Sequence, residues 1–184
     1  MIDIVAQAID KYYKKKDHET FIKLCNKPLP LCKELKNYIK TKKFTLIEGE
    51  DTDSPSRYWR VDFEDYKNGE LEISYDTEFQ ISKVAPLFYI QHEFSVDHKN
   101  KNYVDPSLTG FCGSAYTKEQ FELDDKIRTI LIKKGYHELN YFDMKESIEG
   151  FKMPEGVKIF GHNVTVEMLL FVDILNICPD ESEK

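Results

Sequence analysis

Apolar side chains recur at helical spacing at the start of the chain. Ile2, Val5, Ala6 and Ile9 share a face with Tyr12 or Tyr13, which predicts a helix over residues 2–15. "HETFIKLCN" continues as a second helix that the prolines of "KPLP" stop. Leu31, Leu35 and Tyr38/Ile39 mark a third, from about Pro30 to Lys40. From Phe44 the period falls to two. "KFTLIEG" reads as a strand and "EDTDSPS" as a loop of turn formers. Trp59, Val61 and Phe63 then alternate with Arg60, Asp62 and Glu64, and Leu71, Ile73 and Tyr75 with Glu70, Glu72 and Ser74. Asn68-Gly69 between the two runs supplies residues that accept the positive φ of a tight hairpin turn.

"VAPLFYIQHEFSV" reads as a long strand with Phe88, Ile90, His92, Phe94 and Val96 on one face, and "DHKNKNYVDPSLTGFCGSA" as a polar loop. Thr117 with Gln120 forms a capping box for a helix whose apolar stripe is Phe121, Ile127, Ile130 and Leu131, and Gly135 closes it. "YHELNYFDM" is expected to hold a short strand, "KESIEGF" a turn of helix, and "KMPEGVKIFG" a loop and strand. "TVEMLLFVDILNI" is expected to be a closing helix ended by Pro179. The pattern predicts one α+β domain over residues 1–184: an antiparallel sheet with N-terminal and C-terminal helices packed on it. Its regions are a helical part (1–42), a sheet (43–97) and a helical or mixed part (117–178).

Composition narrows the function. With 184 residues, 41% hydrophobic and 13% aromatic, the chain can bury a substantial core and is not intrinsically disordered. Its apolar runs are too short to span a bilayer, and the N-terminus lacks the pattern of a secretory signal, so a cytoplasmic location and no membrane partner are expected. The net charge of −7 is unevenly spread. Residues 1–47 hold eleven Lys against five acids, whereas residues 48–78 hold eleven acids against three Lys or Arg. Such an acidic chain is a poor binder of nucleic acid and suits a basic protein partner.

No motif for metal, cofactor or nucleophilic chemistry emerges. Cys25, Cys32, Cys112 and Cys178 lack metal-ligand spacing and read as buried free thiols. "QHEFSVDH" resembles a metal site, but on a strand His92 and His98 stand about 20 Å apart, so neither a metal nor a cofactor is expected. Instead His92 reads as a hydrogen-bonded core or edge histidine. Cys112, between glycines in "GFCGS", shows no neighbouring base. What stands out is the acidic outer face of the hairpin, because like charges facing each other across strands cost stability.

"ISKVAPLFYIQHEFSVDH" and "MPEGVKIFGHNVTVEMLLFVDILNICPD" resemble, in style and order, small cytoplasmic immunity proteins encoded beside bacterial polymorphic toxins, including those of contact-dependent growth inhibition. The resemblance spans about Phe44 to Pro179. It implies a non-enzymatic protein that neutralises one cognate toxin domain, many such toxins being basic nucleases. Charge nominates the contacts Glu48, Glu50, Asp51, Asp53, Asp62, Glu64, Glu70 and Glu72, with Tyr58 and Tyr66 as aromatic partners. The alternatives are a structural or regulatory subunit of a larger assembly, and an enzyme using His92 or Cys112.

Overall fold

The computed structural model describes residues 1–49, 53–98, 108–154 and 163–178. Among these, seven strands form one sheet: β1 (Thr45–Glu48), β2 (Ser56–Asp62), β3 (Tyr66–Asn68), β4 (Leu71–Ser82), β5 (Leu87–His98), β6 (Leu108–Cys112) and β7 (His137–Leu139). The order is β1-β2-β4-β5-β6, antiparallel throughout. β3 continues the β2 side of β4, and β7 lies parallel to the start of β5. The helices are α1 (Asp3–Ile9) with a π-helical extension (Asp10–Lys14), α2 (His18–Cys25), α3 (Lys33–Lys42), α4 (Lys118–Lys133), α5 (Tyr141–Met144) and α6 (Val166–Leu170). A second, two-stranded sheet joins β8 (Ser147–Lys152) to β9 (Asn163–Thr165). The α+β class and the antiparallel sheet flanked by helices are as the sequence pattern predicts.

The period of two sorts the long strands into an apolar and a polar face. Trp59, Val61, Phe79, Ile81, Phe88 and Ile90 are buried on one side, under Leu35 and Ile39 of α3 and Leu123, Ile127, Ile130 and Leu131 of α4. Trp59 stacks on Phe79 with ring centroids 5.3 Å apart. A second core gathers Val5, Ile9, Tyr12 and Phe21 with Met144, Val164 and Leu169, and takes in Leu87 and, at its margin, Tyr89 from the other side of the sheet. It therefore covers that side only near the start of β5. Farther along the same side stand Tyr58, Arg60, Asp62, Asp76, Glu78, Gln91 and Glu93, as their pairing registers require.

Several local expectations shift. The hairpin pairs Asn68 with Leu71, so its two turn residues are Gly69 and Glu70; Gly69 has φ +61° and Asn68 belongs to β3. Its strand is broken between Asp62 and Tyr66, where β2 passes into β3. "KESIEGF" is strand β8 rather than helix, because β9 supplies a distant partner and Gly150, at φ +87°, accommodates a register shift. Part of the expected polar loop is strand β6, where Gly110 lies under the Phe94 ring; a Cβ there would come within 2.5 Å of it. On α4 the capping box at Thr117 and Gln120 forms, but Phe121 is 62% exposed and Leu123 takes its place in the stripe. The closing helix stops at Leu170; Asp173 and Asn176 adopt positive φ, and the Asp173 carboxylate accepts the amides of Ile177 and Cys178. Residues 155–162, in the expected loop and strand, lie outside the described residues, as does Pro179. Among the described residues no helix is long and apolar enough to cross a membrane.

A buried polar chain ties α4 to the sheet. Thr77 Oγ1 and His92 Nδ1 are 3.0 Å apart, His92 Nε2 lies 3.8 Å from Asp124 Oδ2, and Arg128 bonds Asp124 and grips both oxygens of Glu138 at 2.7 and 2.8 Å. Asp124 is almost wholly buried, so its charge depends on Arg128. Arg128→Ala should lower stability by about 2–4 kcal/mol, read as a lower urea midpoint. Asp124→Leu in the same chain should recover most of the loss, since the buried charge that lacks a partner is then gone.

Candidate functional site

The site grows out of one register. In the antiparallel ladder Asp76 of β4 is paired with Asp62 of β2 on one side and Glu93 of β5 on the other, so three carboxylates lie in a row across the polar face. Period-two alternation adds Glu78 to the same face, two residues along β4. One carboxylate oxygen from each of Asp76, Glu78 and Glu93 lies within 4.8 Å of the other two. The cation set against them is Arg60, which bonds Asp62 through Nε at 2.6 Å and reaches Asp76 Oδ2 through Nη2 at 3.5 Å.

Each of the three clustered carboxylates has one oxygen engaged by a neighbouring group. Tyr58 donates its hydroxyl to Glu78 Oε1. Tyr89 donates to Gln91 Oε1, and Gln91 Nε2 in turn donates to Glu93 Oε1 at 2.6 Å. Arg60 faces Asp76 Oδ2, while Asp76 Oδ1 is shut off from solvent and has no hydrogen-bond partner among the described residues. From the opposite side of the sheet, buried Gln120 donates through Nε2 to the backbone carbonyls of Asp76 and Glu93, at 2.7 and 3.1 Å. The start of α4 thereby fixes the spacing of the two strands beneath the carboxylates.

The electrostatics follow from burial and like charge. Asp76, only 8% exposed, has its carboxyl pushed up to about 6, first by burial and then by Glu93, Glu78 and Asp62, with Arg60 opposing. Burial also raises Glu78, which the Tyr58 hydrogen bond holds back and Glu93 pushes further. Burial, then the bond to Glu78, pushes the Tyr58 phenol up.

Beside the carboxylates the face turns aromatic. Phe111 of β6 is paired with Glu93, and its ring lies 6.2 Å from that of Tyr141, which lies 5.8 Å from that of Phe142. Phe111 is 58% and Phe142 82% exposed. Between these rings and Glu78 run two adjoining hollows of about 280 and 170 Å³ that share Tyr89, Gln91 and Glu167. Glu167 is bonded by Lys145. Acidic cage, polar groove and aromatic wall therefore form one continuous surface.

The residues nominated from charge are not brought together. Of them, only Tyr58 and Asp62 adjoin these carboxylates; Glu72 shares their side of β4 but stands farther along the strand. Glu48 bonds Lys36 at 2.6 Å and Arg57 at 3.1 Å, and Lys36 holds its carboxyl below the usual range. Glu72 bonds Lys67 at 2.7 Å, and Glu70 lies 3.6 Å from His98. Glu64 and Tyr66 line a separate cleft of about 830 Å³ with Phe63, Tyr75 and Glu122. Asp53 lies near Cys178, and Glu50 and Asp51 are outside the described residues. Much of the hairpin's negative charge is thus neutralised within the molecule. Sequence reasoning missed Asp76, Glu78 and Glu93 because only the register of β4 against β5 reveals that they meet.

The two residues of the enzyme alternative are also placed. His92 is fully buried in the core network, and Cys112 is exposed on β6, against the expectation of buried thiols; Cys32 is half-buried. Comparison with family models, with curated proteins and with solved structures finds no match for the chain.

The raised Asp76 pKa has a definite consequence for stability. Folded Asp76 holds its proton up to a higher pH than the unfolded chain does, so stability falls as pH rises from about 4 to 6 and stays reduced above that. Asp76→Asn, in buffer free of multivalent ions, should therefore stabilise the fold at pH 7 by about 1–2 kcal/mol, less than the full shift because water screens the mouth of the site. The gain should vanish by about pH 4, as measured by chemical unfolding at each pH.

Proposed function

We propose that the chain is a binding protein that neutralises a basic protein partner through the polar face of its sheet, and that this partner is the cognate toxin domain of a bacterial polymorphic toxin system. The observation that carries the reading is the adjacency of the surplus carboxylates to the exposed Phe111–Tyr141–Phe142 wall. Opposed potentials speed encounter, and aromatic anchors in a desolvated patch slow dissociation. A Lys or Arg side chain entering between Asp76, Glu78 and Glu93 would relieve a like-charge cluster that the free protein keeps at a cost. The resemblance to cytoplasmic immunity proteins supports the same reading and implies a partner encoded beside this chain.

The interface so proposed is centred on the middle of β4 and β5 rather than on the tip of the hairpin. Of the contacts nominated from sequence it keeps Tyr58 and Asp62. The reading calls for neither a cofactor nor a nucleic acid.

Purified protein mixed with the basic domain encoded beside it should form a one-to-one complex that weakens as salt is raised. Glu78→Lys, Glu93→Lys and Phe142→Ala should each lower affinity by about tenfold or more, equivalent to at least about 1.4 kcal/mol. Glu70→Lys and Glu72→Lys should change it less than about twofold. Unchanged affinity in the first group, with folding verified by circular dichroism, would remove this face as the interface.

A further inference from the structure

We infer that Asp76, Glu78 and Glu93 form a binding site for a hard divalent cation, of which Ca²⁺ is the best match. Three carboxylates converge from two adjacent strands, with oxygens all within 4.8 Å of one another. Two oxygens that each sit about 2.4 Å from one ion can be no more than about 4.8 Å apart, a requirement the three groups meet pairwise, and side-chain shifts of a few tenths of an ångström would close all three onto an ion the size of Ca²⁺. All the donors are oxygens, the preference of Ca²⁺, Mg²⁺ and Mn²⁺ rather than of thiophilic metals.

A cluster of acids alone would be an ordinary surface feature. What distinguishes this one is Asp76, whose residue is 8% exposed and whose Oδ1 has neither solvent nor, among the described residues, a hydrogen-bond partner. A buried, unpaired carboxylate oxygen costs stability unless something cationic meets it. Arg60 faces the other oxygen of the same group and is shared with Asp62, so it leaves Oδ1 unmet.

The surrounding groups are arranged as the outer shell of a metal site is. Tyr58 holds Glu78 by Oε1, and Gln91, itself engaged by Tyr89, holds Glu93 by Oε1. Outer hydrogen bonds of this kind fix the orientation of ligating carboxylates. Gln120 clamps the backbone of Asp76 and Glu93 from beneath. Water would complete the coordination from the groove side, since three carboxylates supply fewer than the six to eight oxygens that Ca²⁺ takes.

The site belongs to the free protein and does not depend on the identity of a partner. If the face also takes a basic side chain, ion and side chain are alternative occupants of the same cage, and the ion competes with the partner.

The test uses the full chain, stripped with chelator and without any partner, titrated with CaCl₂, MnCl₂ and MgCl₂ by isothermal titration calorimetry. One ion should bind with half-saturation near about 0.1 mM for Ca²⁺, and binding should raise the thermal midpoint. Asp76→Asn and Glu93→Gln should each weaken Ca²⁺ binding by at least tenfold. Arg60→Gln, which removes the competing cation and no ligand, should tighten it severalfold. The thermal midpoint of each variant, measured without added ion, separates a loss of binding from a loss of folding. Absence of saturation by about 10 mM with all three ions, or unchanged binding in both carboxylate variants, overturns the inference. Failure here leaves the partner complex intact in chelator, whereas failure of the partner reading leaves the titration unaffected.

Discussion

The pairing of β4 with β5, in a register that sets Asp76 opposite Glu93, is the constraint on which the rest of the structure depends. The same ladder sets Thr77 opposite His92 and Phe79 opposite Ile90 on the reverse side. A slip by one residue would turn every side chain of a strand to the wrong face. The apolar half of the ladder, closed by α3 and α4, holds the register. The polar half, left uncovered by the second core, must accept the like charges that this register brings together. In this way core packing stabilises an arrangement of carboxylates that would not assemble for its own sake.

Charge is distributed over the molecule according to what each strand can reach. The hairpin of β3 and β4 and the end of β1 carry many acids, yet Lys67, Lys36 and Arg57 lie within bonding distance of them. The middle of β4 has strands on both sides, and those strands present more acids. Arg60 alone does not balance Asp62, Asp76, Glu78 and Glu93. Burial of Asp76 then removes the water that would have solvated the excess. Both proposals, a basic protein partner and a divalent ion, start from this imbalance and differ in the kind of cation that relieves it.

Much of the fold was legible because its signals are local. The alternation at Trp59–Phe63 and Phe88–Val96, the capping box at Thr117 and Gln120, and Gly135 at the end of α4 each depend on residues a few positions apart. What was not legible depends on distant partners. "KESIEGF" becomes a strand because Asn163–Thr165 lies beside it, and Leu108–Cys112 because β5 offers an edge. "MLLFVDILNI" carries Asp173 and Asn176 at helical spacing and so reads on as helix, yet both adopt positive φ and Asp173 caps a turn with its own carboxylate. The candidate site was hidden for the same reason. The excess of acids between residues 48 and 78 was visible, and so was Glu93, in the stretch read for its histidines. That Glu93 meets Asp76 and Glu78 while Glu72 meets Lys67 is a matter of register, which composition does not report.

The central claim is that Asp76, Glu78 and Glu93 form a like-charged cluster that the free protein leaves under-compensated. Side-chain carboxyl ¹³C chemical shifts, followed by NMR through a pH titration of the metal-free protein, test it most directly. Asp76 should titrate near 6, and the Glu78 carboxyl should also titrate above the ordinary range for glutamate, coupled to its neighbours. Ordinary, independent titration of Asp76 and Glu78 near about 4 would contradict it, and would mean that water or Arg60 satisfies these groups in the free protein.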